Sequence, residues 1–215
     1  GFRTGAVVHA TPAIQGHLKN IDVNIPSFKY YKQSATVVNR PTTMYVGTHD
    51  GQMHAFELDR ATPGDTTNWG RELWSFIPNH LLRQLKDLPA AYRPLMDGPP
   101  VVKDILLSRT ALTVAAPATE ALNWKTVLVS GYRDGGRGYF ALDVTDPSSP
   151  QFLWEVSNEG RCAPGGPCPP SGDNSFSRLG WSYSRPEVGV VYVDPSGAAG
   201  DEQEVAVAVF GGGSG

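Results

Sequence analysis

Short apolar runs separated by turn residues recur along the chain. The runs Val127–Val129 and Val205–Phe210 are apolar at every position rather than at alternate ones, and such runs are typical of strands buried on both faces. Asp50-Gly51 and Asp134-Gly135 each stand between two β-rich runs, and Asp-Gly is a strong signal for a tight hairpin turn. The pattern therefore predicts an all-β chain of short antiparallel strands.

The same order of segments repeats along the sequence. Pro12, Pro99 and Pro186 lie at equal intervals of 87 residues, and an internal period of this kind indicates a repeat architecture. A glycine-ended run, a hairpin partner and a run with a Leu-Trp pair (Leu73-Trp74, Leu153-Trp154) follow each of the first two prolines. Each repeat thus contains four predicted strands, and four antiparallel strands make the blade of a β-propeller.

We therefore predict an incomplete β-propeller of the quinoprotein-like type, with about two and a half blades and one short inserted helix. A sandwich is disfavoured because strands with one wet face should alternate. The helix is predicted from Asn79 as N-cap and from the leucines at 81, 82, 85 and 88. The predicted segments are blade 1 at 6–78, the helix at 80–88, blade 2 at 97–157, a disulfide loop at 158–180 and the start of blade 3 at 184–215, with exposed loops at 15–40, 59–70, 108–123 and 157–180.

Composition and charge narrow the function classes. The net charge is −3, so the chain has no overall basic field with which to hold nucleic acid. Hydrophobic residues make up 40% of the chain, which is too many for a disordered segment. No window approaches the roughly 18 apolar residues of a membrane-spanning helix. The chain begins in strand-like sequence without a leader at Gly1, so we expect it to be a piece of a longer protein.

Cys162 and Cys168 lie in the segment RCAPGGPC. Their spacing does not fit a C-x-x-C redox motif or a zinc knuckle. We predict a disulfide between them, with two free thiols in an open loop as the alternative. A disulfide indicates a protein of the periplasm or the cell exterior.

The histidines show no metal-binding spacing such as H-x-x-x-H. His54 alternates with Phe56 and Leu58, which favours a packed strand residue over a ligand. We therefore predict no catalytic residue, no metal and no cofactor in this segment. The histidines considered are His9, His17, His49, His54 and His80.

Seven longer motifs follow one another along the chain in the order found in a known family. They are HATPAI, MYVGTHDGQMHAF, LWSFIPNHLLRQLKDL, DGPPVVKD, WKTVLVSGYRDGGRGYFALDVTDPSSP, LGWSYSRPEVG and VAVFGGG. The set resembles the propeller domain of the PilC/PilY family of type IV pilus tip proteins. FALDVT alone is common to quinoprotein-related propellers, whereas the combination with FIPNHLLRQLKDL is specific.

The resemblance implies a role in pilus biogenesis, surface adhesion and twitching motility. It implies minor pilins and other pilus components, and a host or abiotic surface, as partners. It also implies a location at the pilus tip, the cell surface or the outer membrane, reached through the periplasm. Several family members bind calcium in a D-x-D-x-D-G loop, but the spacing from Asp194 to Asp201 does not fit one. Calcium is therefore expected only in parts of the propeller outside this segment.

Two other function classes remain as alternatives. A quinoprotein-like dehydrogenase would share the blade pattern, but its chemistry needs a carboxylate and a calcium that cannot be placed in this sequence. A generic secreted or outer-membrane propeller scaffold would have the same composition.

Aromatic residues in the predicted loops are candidate interaction anchors, because aromatics with a polar handle are frequent at interfaces. The alternative is that they pack against the outer rims of the blades. The candidates are Phe28, Tyr30, Tyr31, Trp181 and Tyr183.

Overall fold

The computed structural model describes residues 4–18, 24–59, 67–88, 90, 92–110, 116–158, 160–162, 176–197 and 201–213, and the structural statements below concern these residues. Short strands account for most of the regular structure. They are β1 (Ala13–Gln15), β2 (Thr42–Gly47), β3 (Met53–Asp59), β4 (Glu72–Phe76), β5 (Val101–Leu106), β6 (Ser108–Thr110), β7 (Trp124–Gly131), β8 (Gly138–Asp143), β9 (Gln151–Ser157), β10 (Gly160–Cys162), β11 (Glu187–Val193) and β12 (Gln203–Val209).

The strands form three antiparallel sheets. The first sheet has the order β1-β2-β3-β4, the second β10-β9-β8-β7-β5, and the third β11-β12-β6. All pairings are antiparallel. The chain is therefore mostly β, as the sequence predicted.

The first strands of the three sheets occupy equivalent positions. Their first residues pair with residues that lie two positions before a glycine: Ala13 with Tyr45, Val101 with Val129, and Glu187 with Val209. This register makes Pro12, Pro100 and Pro186 equivalent. The prediction that Pro99 has this role is wrong by one residue, because two prolines adjoin there.

The Leu-Trp pairs are equivalent as well. Trp74 lies opposite Ala55, and Trp154 lies opposite Ala141. In both sheets the register shifts directly after that alanine, so that the leucine before each tryptophan is an extra residue in a β-bulge. The same irregularity at the same place confirms that the two segments are repeats.

The sheets pack face to face. Tyr45 and Met53 of the first sheet share one apolar cluster with Leu128 and Phe140 of the second. On the opposite face of the second sheet, Val129 packs against apolar residues of the third sheet. The second sheet is therefore buried on both faces, which explains why its central strands are apolar without alternation.

The region 15–40 differs from its prediction as an exposed loop. It contains α1 (Pro26–Gln33) and α2 (Ala35–Asn39). Pro26 occupies the first turn of α1, a favoured position for proline. The side chain of Ser34 caps α2 by accepting a hydrogen bond from the Val37 amide. The predicted loop 108–123 likewise contains β6, α4 (Pro117–Glu120) and a 3₁₀ helix at Ala121–Asn123.

The inserted helix is shorter than predicted. The segment forms α3 (Asn79–Leu82) and a separate 3₁₀ helix (Leu85–Asp87). The Glu155 carboxylate, which is buried, accepts hydrogen bonds from the backbone amides of Asn79 (2.9 Å) and His80 (2.8 Å). Leu81 is fully buried in the cluster between the first two sheets. The insertion is thus fastened onto the second sheet.

Candidate functional site

A polar cluster lies at one end of the sheets. We call it the loop-end cluster and define it as His9, His49, Asp97, Arg133, Asp134 and Tyr183. Each member either shortly precedes a first strand (β1, β5 or β11) or follows a second strand (β2 or β7). Because first and second strands are antiparallel neighbours, their starts and ends meet at the same edge of each sheet. The repeat therefore brings together residues from distant parts of the sequence.

Asp97 is the centre of this cluster and is 1% exposed. Its Oδ1 accepts a hydrogen bond from the His9 amide at 2.9 Å and lies 2.9 Å from His49 Nε2. Its Oδ2 lies 2.6 Å from His9 Nδ1. Burial alone would raise the pKa of Asp97, but these hydrogen bonds outweigh it and hold the pKa below its usual value. The side chain is therefore a carboxylate at neutral pH.

Arg133 faces two carboxylates. Its Nε lies 3.7 Å from Asp97 Oδ2 and 4.0 Å from Asp134 Oδ2. Its backbone has a φ of 56°, and it is the one non-glycine residue with positive φ in the described part of the chain. Such a conformation is uncommon for a residue other than Gly, Asn or Asp. The turn therefore holds Arg133 in a strained conformation.

Ser182 fixes this turn from the third repeat. Its Oγ accepts hydrogen bonds from the amides of Tyr132 (2.9 Å) and Arg133 (3.1 Å) and donates one to the Gly136 carbonyl (2.9 Å). The buried hydroxyl thus ties the segment before β11 to the hairpin turn of the second sheet. This clamp positions the neighbouring aromatics.

Two arginines stand over two of these aromatics. The guanidinium of Arg133 is 5.4 Å from the ring centroid of Tyr183, and that of Arg137 is 5.7 Å from the ring of Trp181. Trp181 is 37% and Tyr183 50% exposed, and the Tyr183 hydroxyl bonds to Asp134. We call Arg133, Arg137, Trp181 and Tyr183 the arginine–aromatic face, and it borders the loop-end cluster. Arginine, tryptophan and tyrosine are the residues that dominate binding at protein interfaces.

The candidate anchors in region 15–40 divide between core and surface. Phe28 and Tyr31 are buried against Trp124, whereas Tyr30 is exposed. The helix explains the difference: Phe28 and Tyr31 are three residues apart and share its buried face, whereas Tyr30 lies on the exposed face. Burial, with the nearby Asp104 carboxylate, raises the pKa of Tyr31 to about 12. Phe28 and Tyr31 are therefore core residues, and their proposed role as interaction anchors is wrong.

No local motif marks the loop-end cluster in the sequence, because His9, Asp97 and Asp134 come from three separate segments. Ligand atoms of these three side chains nevertheless lie within 4.8 Å of one another. The repeat register could have predicted part of the cluster, because His9, Asp97 and Tyr183 each lie four residues before a first strand. One imidazole and two carboxylates are groups that bind divalent metal ions.

The predicted disulfide involves residues that the structure does not describe. Cys168 and the side chain of Cys162 lie outside the described residues, so the pairing stays a prediction. None of the helices within the described segments combines the length and apolarity required to cross a bilayer.

Comparison with known proteins identifies relatives over most of the chain. The chain is 29% identical over 202 residues to the type IV pilus biogenesis factor PilY1 of Pseudomonas aeruginosa PAO1, which covers 87% of this chain and 14% of that protein. It is 33% identical over 132 residues to a PilY1 homolog of Xylella fastidiosa, which covers 60% of this chain and 9% of that protein. The chain is similar in sequence to PilY1 proteins. No protein-family profile matches it.

A solved PilY structure has the same architecture. The crystal structure of the Pseudomonas aeruginosa PilY1 C-terminal domain matches with a TM-score of 0.54 and 26% identity, over 94% of this chain and 31% of that chain. The resemblance to the PilC/PilY family seen in the sequence is thereby confirmed, and so is the mostly β fold. The chain spans 14% of the length of its P. aeruginosa PilY1 relative.

Proposed function

We propose that this chain is part of a β-propeller in a type IV pilus biogenesis protein, and that it acts by binding rather than by catalysis. The observation that carries the proposal is the similarity to PilY1 over 87% of the chain. In this proposal the protein acts outside the cell, at the pilus tip or the cell surface, and supports pilus assembly, adhesion and twitching motility.

The packing of the sheets supports a propeller. The first strands lie side by side, with β5 between β1 and β11. The sheets also stack in chain order, the second between the other two. First strands around a common axis and sheets packed face to face are the arrangement of propeller blades. Further blades would come from parts of the protein outside this sequence.

We assign the contact with pilus components, minor pilins among them, to the arginine–aromatic face. Trp181 and Tyr183 are presented by a segment that the Ser182 clamp holds in place. A rigid aromatic loses little conformational entropy on binding and contributes a large contact area. The neighbouring arginines add charge that an acidic group of the partner can pair with.

A complementation experiment tests the proposal. A strain lacking the gene is complemented with the parent, with Trp181→Ala or with Trp69→Ala, and surface pili, twitching zones and adhesion are measured. Trp69 is 60% exposed and lies three residues before β4, at the edge of the first sheet opposite to the loop-end cluster. Loss of a central aromatic anchor costs about 2 kcal/mol of binding, roughly a 30-fold weaker complex. We therefore expect Trp181→Ala to reduce twitching strongly and Trp69→Ala to behave like the parent.

Two outcomes would count against the proposal. If Trp181→Ala complements as well as Trp69→Ala, the arginine–aromatic face is not the contact surface. If the deletion strain itself assembles pili, adheres and twitches normally, with no redundant paralogue, the pilus function is wrong.

A further inference from the structure

We propose that His9, Asp97 and Asp134 bind a divalent transition-metal ion of the zinc class. Their ligand atoms lie within 4.8 Å of one another and come from three separate segments. The inference does not depend on the pilus function. It differs from the sequence-based expectation that this segment holds no metal, and metal analysis decides between the two.

Asp97 is already oriented as a ligand. Its Oδ1 is held by the His9 amide and by His49 Nε2, both at 2.9 Å. This leaves Oδ2 on the side of His9 Nδ1 and Arg133 Nε. A ligating carboxylate that is hydrogen-bonded through its other oxygen is the usual arrangement around protein-bound metals. His49 is therefore a positioning residue in this site, not a ligand.

The site has two carboxylates, Asp97 and Asp134, and one guanidinium, so a further cation would balance its charge. Two carboxylates face one guanidinium, and Arg133 Nε reaches neither at hydrogen-bond distance, at 3.7 and 4.0 Å. This buried Nε has no hydrogen-bond partner among the described residues. Arg133 thus fills the space between the carboxylates without bonding well to them. A metal ion would displace its guanidinium, which already stands over the Tyr183 ring.

The geometry requires a small movement of one residue. His9 Nδ1 and Asp97 Oδ2 are 2.6 Å apart, whereas two ligands of a tetrahedral zinc with bonds of about 2.0 Å lie about 3.3 Å apart. The His9 side chain is 51% exposed and its segment is outside the strands, so the ring can move by this amount. A nitrogen ligand favours zinc over calcium, which prefers oxygen ligands alone. The fourth position would be open to water or to a group from a partner.

Metal binding can be measured directly. The full-length protein is dialysed against a chelator, and zinc binding is followed by titration calorimetry and by metal analysis after gel filtration. We expect the parent to bind one more zinc ion per chain than Asp134→Asn does. His9→Ala should weaken this site at least 10-fold. Asp87→Asn, the same charge change at an exposed position, should leave it unchanged.

A substitution of Arg133 should strengthen zinc binding instead of weakening it. Arg133→Asn removes the competing cation, and Asn tolerates the positive φ of this position. If Arg133 fills the metal position, this variant should bind zinc about 3- to 10-fold more tightly than the parent. A purely structural role of Arg133 does not predict tighter binding.

The outcomes separate clearly. Equal zinc content in the parent and Asp134→Asn would overturn the site, as would weaker zinc binding by Arg133→Asn. Calcium binding at this site that is as tight as zinc binding would overturn the assignment of the metal. All the variants change exposed or partly exposed side chains, and their circular dichroism spectra should match that of the parent.

Discussion

Two contacts at equivalent places join successive repeats. At the first junction, between repeats one and two, His49 bonds to Asp97. At the second junction, between repeats two and three, Arg133 stands over the ring of Tyr183. His49 and Arg133 both lie two residues after the glycine that ends a second strand, and Asp97 and Tyr183 both lie four residues before the next first strand. The first pair is buried and joined by a 2.9 Å hydrogen bond. In the second pair a guanidinium stands over a half-exposed ring.

The fold and the side chains contribute differently to the two junctions. The backbone repeat places one residue from each side at every junction. A buried carboxylate at this place holds the repeats together, because its bonds are shielded from water. An exposed aromatic at the same place contributes little to stability and is available to a partner. We therefore expect the first junction to matter for folding and the second for binding.

Removing the carboxylate at the first junction should have the largest effect. Asp97→Ala removes the buried acceptor of the His9 amide and of the buried His49 ring. Buried polar groups left unsatisfied cost about 1–3 kcal/mol each, so we expect the free energy of unfolding to fall by about 3 kcal/mol. Asp134→Ala is the matched change at the second junction and should cost less than about 1 kcal/mol, because exposed ion pairs contribute little.

Urea denaturation with a chelator in the buffer measures both variants without any metal contribution. Equal losses of unfolding free energy for Asp97→Ala and Asp134→Ala would remove the distinction between a structural and a binding junction.

The sequence predicted the strands and the repeat, because periodicity and turns are local signals. The Leu-Trp pairs, which recur with the repeat in the sequence, also lie in equivalent bulges. The helix pair at 26–39 was missed, since its segments are too short for a clear helical period. The loop-end cluster was missed because its members are distant in sequence, and only the pairing register brings them together. The one-residue error at Pro99, where Pro100 is the equivalent residue, hid that His9, Asp97 and Tyr183 hold equivalent positions.

The two junctions should also fail at opposite ends of the pH scale. The pKa of Asp97 is lowered in the folded protein, so its contribution is present above the ordinary pKa near 3.8 and is lost as the pH falls through the folded value. The hydrogen bond to Asp134 raises the pKa of Tyr183, so its contribution is present below about pH 10 and is lost as the pH rises through the folded value.

Variants isolate each junction in this pH experiment. The stability difference between the parent and Asp97→Asn should shrink as the pH is lowered below about 4. The difference between the parent and Tyr183→Phe, which is small at neutral pH, should disappear above the raised pKa of Tyr183. A difference for Asp97→Asn that stays constant down to about pH 2 would show that the charge of Asp97 is not what stabilises the junction.

The smallest effect should come from the Tyr183 hydroxyl. This group bonds to Asp134 at the surface, and in Tyr183→Phe water takes its place beside the carboxylate. The urea midpoint should therefore stay close to that of the parent. Tyr132→Phe is the matched control, because it removes the same atom where the hydroxyl is buried and donates to Glu155 at 2.6 Å. Loss of a buried hydrogen bond to a charged group costs about 1.5–3 kcal/mol, so the control should unfold at clearly lower urea. If Tyr183→Phe destabilises the protein as much as Tyr132→Phe does, the second junction is structural too, and the arginine–aromatic face is not a surface kept free for binding.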